Sequence, residues 1–416
     1  MSIARAGREE AQSLPSSLNG VKPRPSAPTV KARVLAFYLP QFHPIPENDR
    51  WWGPGFTEWT NVVKARPLFK GHYQPRLPGD LGFYDLRVPE VREAQAELAR
   101  GAGIEGFVYY HYWFGGGKRL LERPFNEVVA SGRPDLPFCV CWANQTWSGI
   151  WHGAPNRILI EQTYPGDADN ECHFMALLDA FRDERYIRVD GRPVFVIYRP
   201  GDVPNRQRFL DKWRELAVKN GLPGLYFVAH LLPDEGNWDY RRQGFDGAVV
   251  ANNLKAHMCG AKEIFRRRLI ERSTVALSVR GRVEPYIAYL RDRVTRRVTQ
   301  LSGGFTNIVR YEDALLFFMD GDERDSDLYP CVIPDWDNTA RAGFRGVVLD
   351  GSTPELFSIQ LRRAISRVAP RPSEHRIVFL KSWNEWAEGN YLEPDVKFGR
   401  EYLRVVREAV VRNETA

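Results

Sequence analysis

What the chain lacks narrows its function first. No window approaches the roughly 18 apolar residues that a membrane-spanning helix needs. No GxGxxG follows the first apolar run and no P-loop pattern occurs, so the usual dinucleotide and phosphate cradles are excluded. Cysteine is scarce, with five in 416 residues. Cys139 and Cys141 lie two apart in an apolar run and should share one face as small buried residues. A lone CxC pair with nothing to complete it is poor grounds for a metal site, so no metal or organic cofactor is implied. Thiols read as reduced fit a cytoplasmic protein, with room for peripheral contact at the inner membrane. Zinc-finger, RRM and helix-turn-helix patterns are missing, which argues against nucleic acid. Residues 1–30 hold Pro, Ser, Ala and Arg without an apolar h-region, and read as a disordered arm.

Aromatic residues, by contrast, are plentiful: 12 Trp, 17 Tyr and 23 Phe. A large core accounts for many of them, but several Trp cluster beside Asn, His and Glu. Eight short apolar runs recur along the chain: Val34–Tyr38, Gly106–Tyr110, Phe138–Trp142, Val194–Tyr198, Leu225–Ala229, Asp246–Val250, Tyr329–Ile333 and Ile377–Leu380. Their near-continuous apolar character predicts strands buried on both faces, as in a parallel sheet. Amphipathic stretches at 89–102, 169–181, 205–220 and 354–368 predict helices between them, with Gly103 and Gly221 as stops and Pro354 in a first turn. The alternation predicts an α/β fold, a (β/α)8 TIM barrel over residues 31–412. One segment breaks the rhythm. Residues 254–325, between the sixth and seventh strands, carry Arg266, Arg267, Arg268, Arg272, Arg280, Arg282, Arg291, Arg293, Arg296 and Arg297. We read it as a helical, arginine-rich insertion. It is either a solvated surface or a basic face for anionic membrane, a lipid diphosphate or an acidic glycan. The formal net charge of +6 agrees with such partners but names none.

Chemistry in a barrel gathers where the strands end. The strand ends here offer Tyr38, His43, His111, Trp113, Trp142, Asn144, Tyr198, Asp335 and Trp336, then Asn384, Glu385 and Glu388, with Glu58 and Trp59 from the first loop. Carboxamides, imidazoles and indoles suit sugar hydroxyls and the C–H faces of a pyranose. Each has a plainer reading, as core packing or a helix cap, and Glu385 with Glu388 could be a solvated i,i+3 pair. Their setting favours catalysis. The run Lys381-Ser382-Trp383-Asn384-Glu385-Trp386-Ala387-Glu388-Gly389 follows the last strand and places two carboxyls close together, as glycosidic-bond chemistry requires.

These residues carry a resemblance. The chain closely resembles the WbsX-like, glycoside hydrolase family 99-like proteins from about residue 33 to residue 408. The markers are Ala36-Phe37-Tyr38-Leu39-Pro40-Gln41-Phe42-His43, Trp51-Trp52-Gly53, Gly55-Phe56-Thr57-Glu58-Trp59-Thr60-Asn61-Val62, Tyr110-His111-Tyr112-Trp113-Phe114, Cys141-Trp142-Ala143-Asn144-Gln145 and Trp383 to Pro394. The resemblance implies a role in bacterial surface polysaccharide (O-antigen or capsule) synthesis and a retaining two-glutamate mechanism. In that mechanism Glu385 would be the base on the sugar 2-hydroxyl, which closes an epoxide, and Glu388 the acid/base for the leaving and incoming oxygens. Family 99 enzymes favour a Tyr-Tyr-Pro-Trp-like run where this chain has Tyr38-Leu39-Pro40-Gln41, so mannose specificity is not carried over. The expected partners are a glycan or lipid-linked oligosaccharide, with a sugar nucleotide as one candidate donor. The competing reading is a non-catalytic glycan-binding protein on a glycosidase-like barrel.

Overall fold

The structure, a computed structural model, describes residues 30–149, 154–231, 238–250, 307–315, 318 and 327–412. Its centre is a closed ring of eight parallel strands: β1 (Arg33–Tyr38), β2 (Gly106–Trp113), β3 (Phe138–Trp142), β4 (Arg192–Ile197), β5 (Tyr226–Leu231), β6 (Gly247–Val250), β7 (Leu328–Val332) and β8 (Ile377–Leu380). Each pairs with its neighbour in sequence, and β8 closes on β1 with Arg33 opposite Ile377 and Ala36 opposite Leu380. All eight expected strands are present and the (β/α)8 barrel is the fold. The apolar runs specify it because every strand is covered twice, by the lumen and by outer helices.

The expected helices form as Pro89–Gly101, Asp167–Arg182, Arg206–Lys219 and Pro354–Val368. Pro354 opens the last of these, and the Thr353 hydroxyl accepts from the Leu356 amide as its N-cap. Gly103 and Gly221 follow two of the helices at φ +80° and +81°, the left-handed region that ends a helix.

Strand alternation decides which side chains face the lumen. Phe37 stacks on Tyr110 and on Phe379, each with centroids 5.6 Å apart, and lies edge-on to His230. Those four rings come from β1, β2, β8 and β5 and fill the interior. Cys139 and Cys141 are free and buried, and burial raises both thiols. Tyr38, one residue past Phe37, faces outward and donates to Gln95 Oε1 on the helix Pro89–Gly101 at 2.7 Å.

Two expectations fall on residues outside the described set: nearly all of the N-terminal arm 1–30, and most of the insertion 254–325 with its ten named arginines. The described part of the insertion, residues 307–315 and 318, holds two short elements. It opens with a strand, Asn307–Arg310, paired in parallel with Val347–Asp350. The β-branched pair Ile308-Val309 favours that conformation. A short helix, Tyr311–Ala314, follows.

Candidate functional site

Beyond β8 the chain makes a tight hairpin. Asn384–Glu385 pairs antiparallel with Asn390–Tyr391, and a 3₁₀ turn, Trp386–Glu388, joins them. Gly389 closes the turn at φ +59°, where a Cβ would lie 2.9 Å from Arg76 Nε and from Asp337 Cβ. Replacing Gly389 by Ala should therefore cost about 2 kcal/mol in chemical denaturation, from left-handed strain plus that clash. It should also displace Glu388, whose carbonyl accepts from the Asp337 amide at 2.6 Å.

The hairpin brings Glu385 and Glu388 onto one guanidinium. Arg341, on the short helix Thr339–Ala342 after β7, donates from Nη2 to Glu385 Oε1 at 2.6 Å and from Nη1 to Glu388 Oε1 at 2.9 Å. A third carboxylate joins them. Glu58, on the helix Glu58–Lys64 after β1, accepts from Arg341 Nε at 3.1 Å and lies 2.9 Å from Nη2. The side chains of Glu58, Glu385, Glu388 and Arg341 are 6, 10, 15 and 10% exposed, so Glu388 is the most open to solvent. Loops after β1, β7 and β8 thus meet at the C-terminal face of the barrel, where chemistry in this architecture is done.

Burial pushes the Glu385 carboxyl up to about 7, opposed by Arg341 and reinforced by Glu388 and Glu58. The same field reaches Tyr110 and Tyr112 at the end of β2, both raised chiefly by burial. Lys381, 6% exposed at the end of β8, keeps its charge: Tyr198, Cys331, Glu388 and Glu385 together outweigh its desolvation. Its Nζ lies 6.0 Å from the centre of the Trp336 ring. Gln41 donates to Tyr112 Oη at 3.3 Å.

A proton bound more tightly in the folded state stabilises it below the unfolded-state pKa, and that contribution is lost as pH rises through the folded one. Glu385 therefore favours folding near pH 4.5 and loses this contribution by about pH 7. Glu393, also raised to about 7 by burial, acts with the same sign. Between pH 5 and pH 8 the melting temperature of Glu385→Gln should fall less steeply than that of the wild type.

A second network braces the hairpin from behind. Arg76 donates to Asp335 Oδ2 at 2.5 Å and lies 3.6 Å from Asp337. Asp337, fully buried, also accepts from Gln74 Nε2 at 2.7 Å and from the Thr339 hydroxyl, and contacts His72 Nε2 at 2.8 Å. Asn384 is fully buried too: its Oδ1 accepts from the Leu39 amide at 2.7 Å and its Nδ2 donates to the Leu39 carbonyl at 3.0 Å. Glu393 accepts from Gln95, Tyr84 and Trp386.

The expected site residues therefore divide. Glu58, Glu385 and Glu388 converge, and Tyr198 and Trp336 stand by Lys381. Asp335 and Asn384 brace the loops. Several others project from the outer face of their strands or lie in the core, where they pack on other side chains. His111 and Trp113 stack on His173 of the helix Asp167–Arg182. Trp142 packs on Phe209 and donates to the Trp113 carbonyl. Tyr38 bonds Gln95, and Trp59 is wedged among Phe42, Tyr84 and Trp386. Asn144 bridges the Arg199 backbone and Tyr164. His43 is buried, which lowers its pKa. The sequence reading missed Arg341; Lys381, Tyr110 and Tyr112 stood in its motifs but not among its site residues. Among the described residues no group of three or more His, Cys, Asp or Glu side chains is placed to hold a metal ion, and no helix is long and apolar enough to cross a membrane.

A parallel (β/α)8 barrel with a carboxylate cluster at its C-terminal mouth is the class of protein these features define. The chain belongs to the glycosyltransferase WbsX family, whose model matches residues 34–406. It is 39% identical over 386 residues to uncharacterized protein WxcX from two strains of Xanthomonas campestris pv. campestris. That match covers 92% of this chain and 50% of the relatives, so the chain spans half the length of the curated proteins it matches. Among solved structures it is similar in fold to a GH99 endo-alpha-mannosidase from Bacteroides thetaiotaomicron, with 13% identity and a TM-score of 0.50 over 90% of this chain and 95% of that one. A glycoside hydrolase-like protein gives 14% identity and a TM-score of 0.52 over 92% and 94%.

Proposed function

We propose that the chain is a carbohydrate-active enzyme that makes or breaks a glycosidic bond, with retention of configuration, during assembly of a bacterial surface polysaccharide in the cytoplasm. The carrying observation is the attachment of Glu385 and Glu388 to adjoining nitrogens of Arg341. Two carboxyls gathered on one guanidinium favour the close spacing of a two-step path over the wider spacing of a direct inversion. In the first step Glu385 takes the proton of the sugar 2-hydroxyl, whose oxygen displaces the leaving group at the anomeric carbon, while Glu388 gives its proton to the leaving oxygen. In the second, Glu388 takes a proton from the incoming hydroxyl as that oxygen bonds to the anomeric carbon and breaks its bond to the 2-oxygen of the epoxide, and Glu385 returns its proton to the 2-oxygen. Burial raises the Glu385 carboxyl to about 7, so near neutral pH it exchanges readily between its acid and base forms.

Membership of a glycosyltransferase family and the fold shared with a GH99 enzyme support this reading. Transfer and hydrolysis share the first half-reaction and differ only in whether a sugar hydroxyl or water completes it. The test is incubation with sugar nucleotides, lipid-linked oligosaccharides and aryl glycosides, with products read by mass spectrometry and anomeric configuration by NMR. A product of inverted configuration would overturn the mechanism, and no product from any donor would overturn the assignment as an enzyme.

A further inference from the structure

The glutamate pair does not stand alone on its arginine. Glu58 reaches the same guanidinium from a loop at the other end of the chain, and all three acids lie on it within 3.1 Å. A buried arginine has one charge to share among them. Its five N–H donors can hold all three by hydrogen bonds, but its single charge cannot balance three carboxylates at once. The effect of Glu58 is electrostatic. It divides the cation's field and adds a like charge beside Glu385, and both actions favour the protonated form of that carboxyl.

Resting on the reading above, we infer that Glu58 and Arg341 are positioning residues for the reaction. Arg341 fixes the spacing of Glu385 and Glu388, and Glu58, seated on the same guanidinium, divides its charge and so favours the acid form of Glu385. Neither need touch the sugar. The other charged or titratable groups around Glu385 are Glu388 on its own hairpin, Lys381 just past β8, and Tyr110 and Tyr112 on β2. None of these duplicates Glu58, since only Glu388 is another acid and it belongs to the pair.

The test follows Glu385 directly. Full-length protein carrying ¹³C-labelled glutamate is titrated by infrared spectroscopy, and the Glu385 band is assigned by subtracting the Glu385→Gln variant. Glu58→Gln should lower the Glu385 midpoint by about one pH unit or more, because it removes the competing charge. Glu58→Asp, which retains the charge on a shorter arm, should lower it less. Arg341→Lys should raise it and, where turnover is measurable, depress kcat far more than it changes KM. An unchanged midpoint in Glu58→Gln would overturn the inference and leave Glu58 as packing; should that variant not fold, an unchanged midpoint in Arg341→Lys would overturn it equally. The infrared titration needs no substrate, so absence of turnover in the wild type would sink the enzymatic reading without touching this measurement.

Discussion

Glu388→Gln should lose about 10²–10⁴-fold in kcat while its affinity for the glycan changes little. The substituted amide would keep the length of the side chain and an oxygen for Arg341 Nη1, so the hairpin should stay in place. What disappears is the exchangeable proton that a leaving oxygen requires. Glu385→Gln should be damaged at least as severely, because an amide cannot accept the 2-hydroxyl proton. A free-standing nucleophile such as azide should restore little activity to Glu385→Gln, since the sugar's own oxygen performs the first displacement. Progress curves and isothermal titration on the same preparations separate turnover from binding. A glycan-binding protein without catalysis would show no turnover in either form, and these substitutions would then leave only changes in affinity.

The second large effect falls outside the glutamate cluster. Arg76→Met should destabilise the fold by about 3–5 kcal/mol in chemical denaturation at neutral pH. The methionine fills a similar volume, but Asp335 loses its counter-ion and Asp337 loses a cationic neighbour, both inside the protein. Burial already raises the Asp335 carboxyl in the presence of Arg76, and removing the arginine should raise it further. The loss should therefore shrink as pH falls and the acid becomes neutral. Adding Asp335→Leu should recover part of the stability, because an uncharged pair tolerates burial better than a single charge. Recovery of stability without recovery of turnover would assign the ion pair to holding the Gly389 turn.

The barrel was legible because each strand is apolar along nearly its whole length, a pattern that burial on two faces imposes. The same property hid the orientation of individual side chains. In Tyr110-His111-Tyr112-Trp113 every residue is aromatic, and nothing in composition distinguishes lumen from outer face. Alternation from Phe37 would have helped: Val108 lies opposite it, which places Tyr110 and Tyr112 inward and His111 and Trp113 outward. Glu385 and Glu388 were readable from their spacing and from the residues around them. Arg341 was not, since its three partners lie far away in sequence and the short helix that carries it has no amphipathic signature. The strand-end residues read after β7 stopped at Trp336, five positions short of it. The tryptophans near the motif were misleading in a different way: Trp383 and Trp386 are almost completely buried and hold the hairpin from beneath.

The last strand pairs with the first, and the carboxylates are gathered from both ends of the ring. On a ribosome, the outer edge of β1 would wait with unsatisfied amides and carbonyls until more than three hundred further residues had been made. Glu58 would likewise emerge long before the arginine that holds it. Competence must then arrive late and abruptly in synthesis, and fragments truncated before β8 should present a sticky open edge to chaperones and proteases.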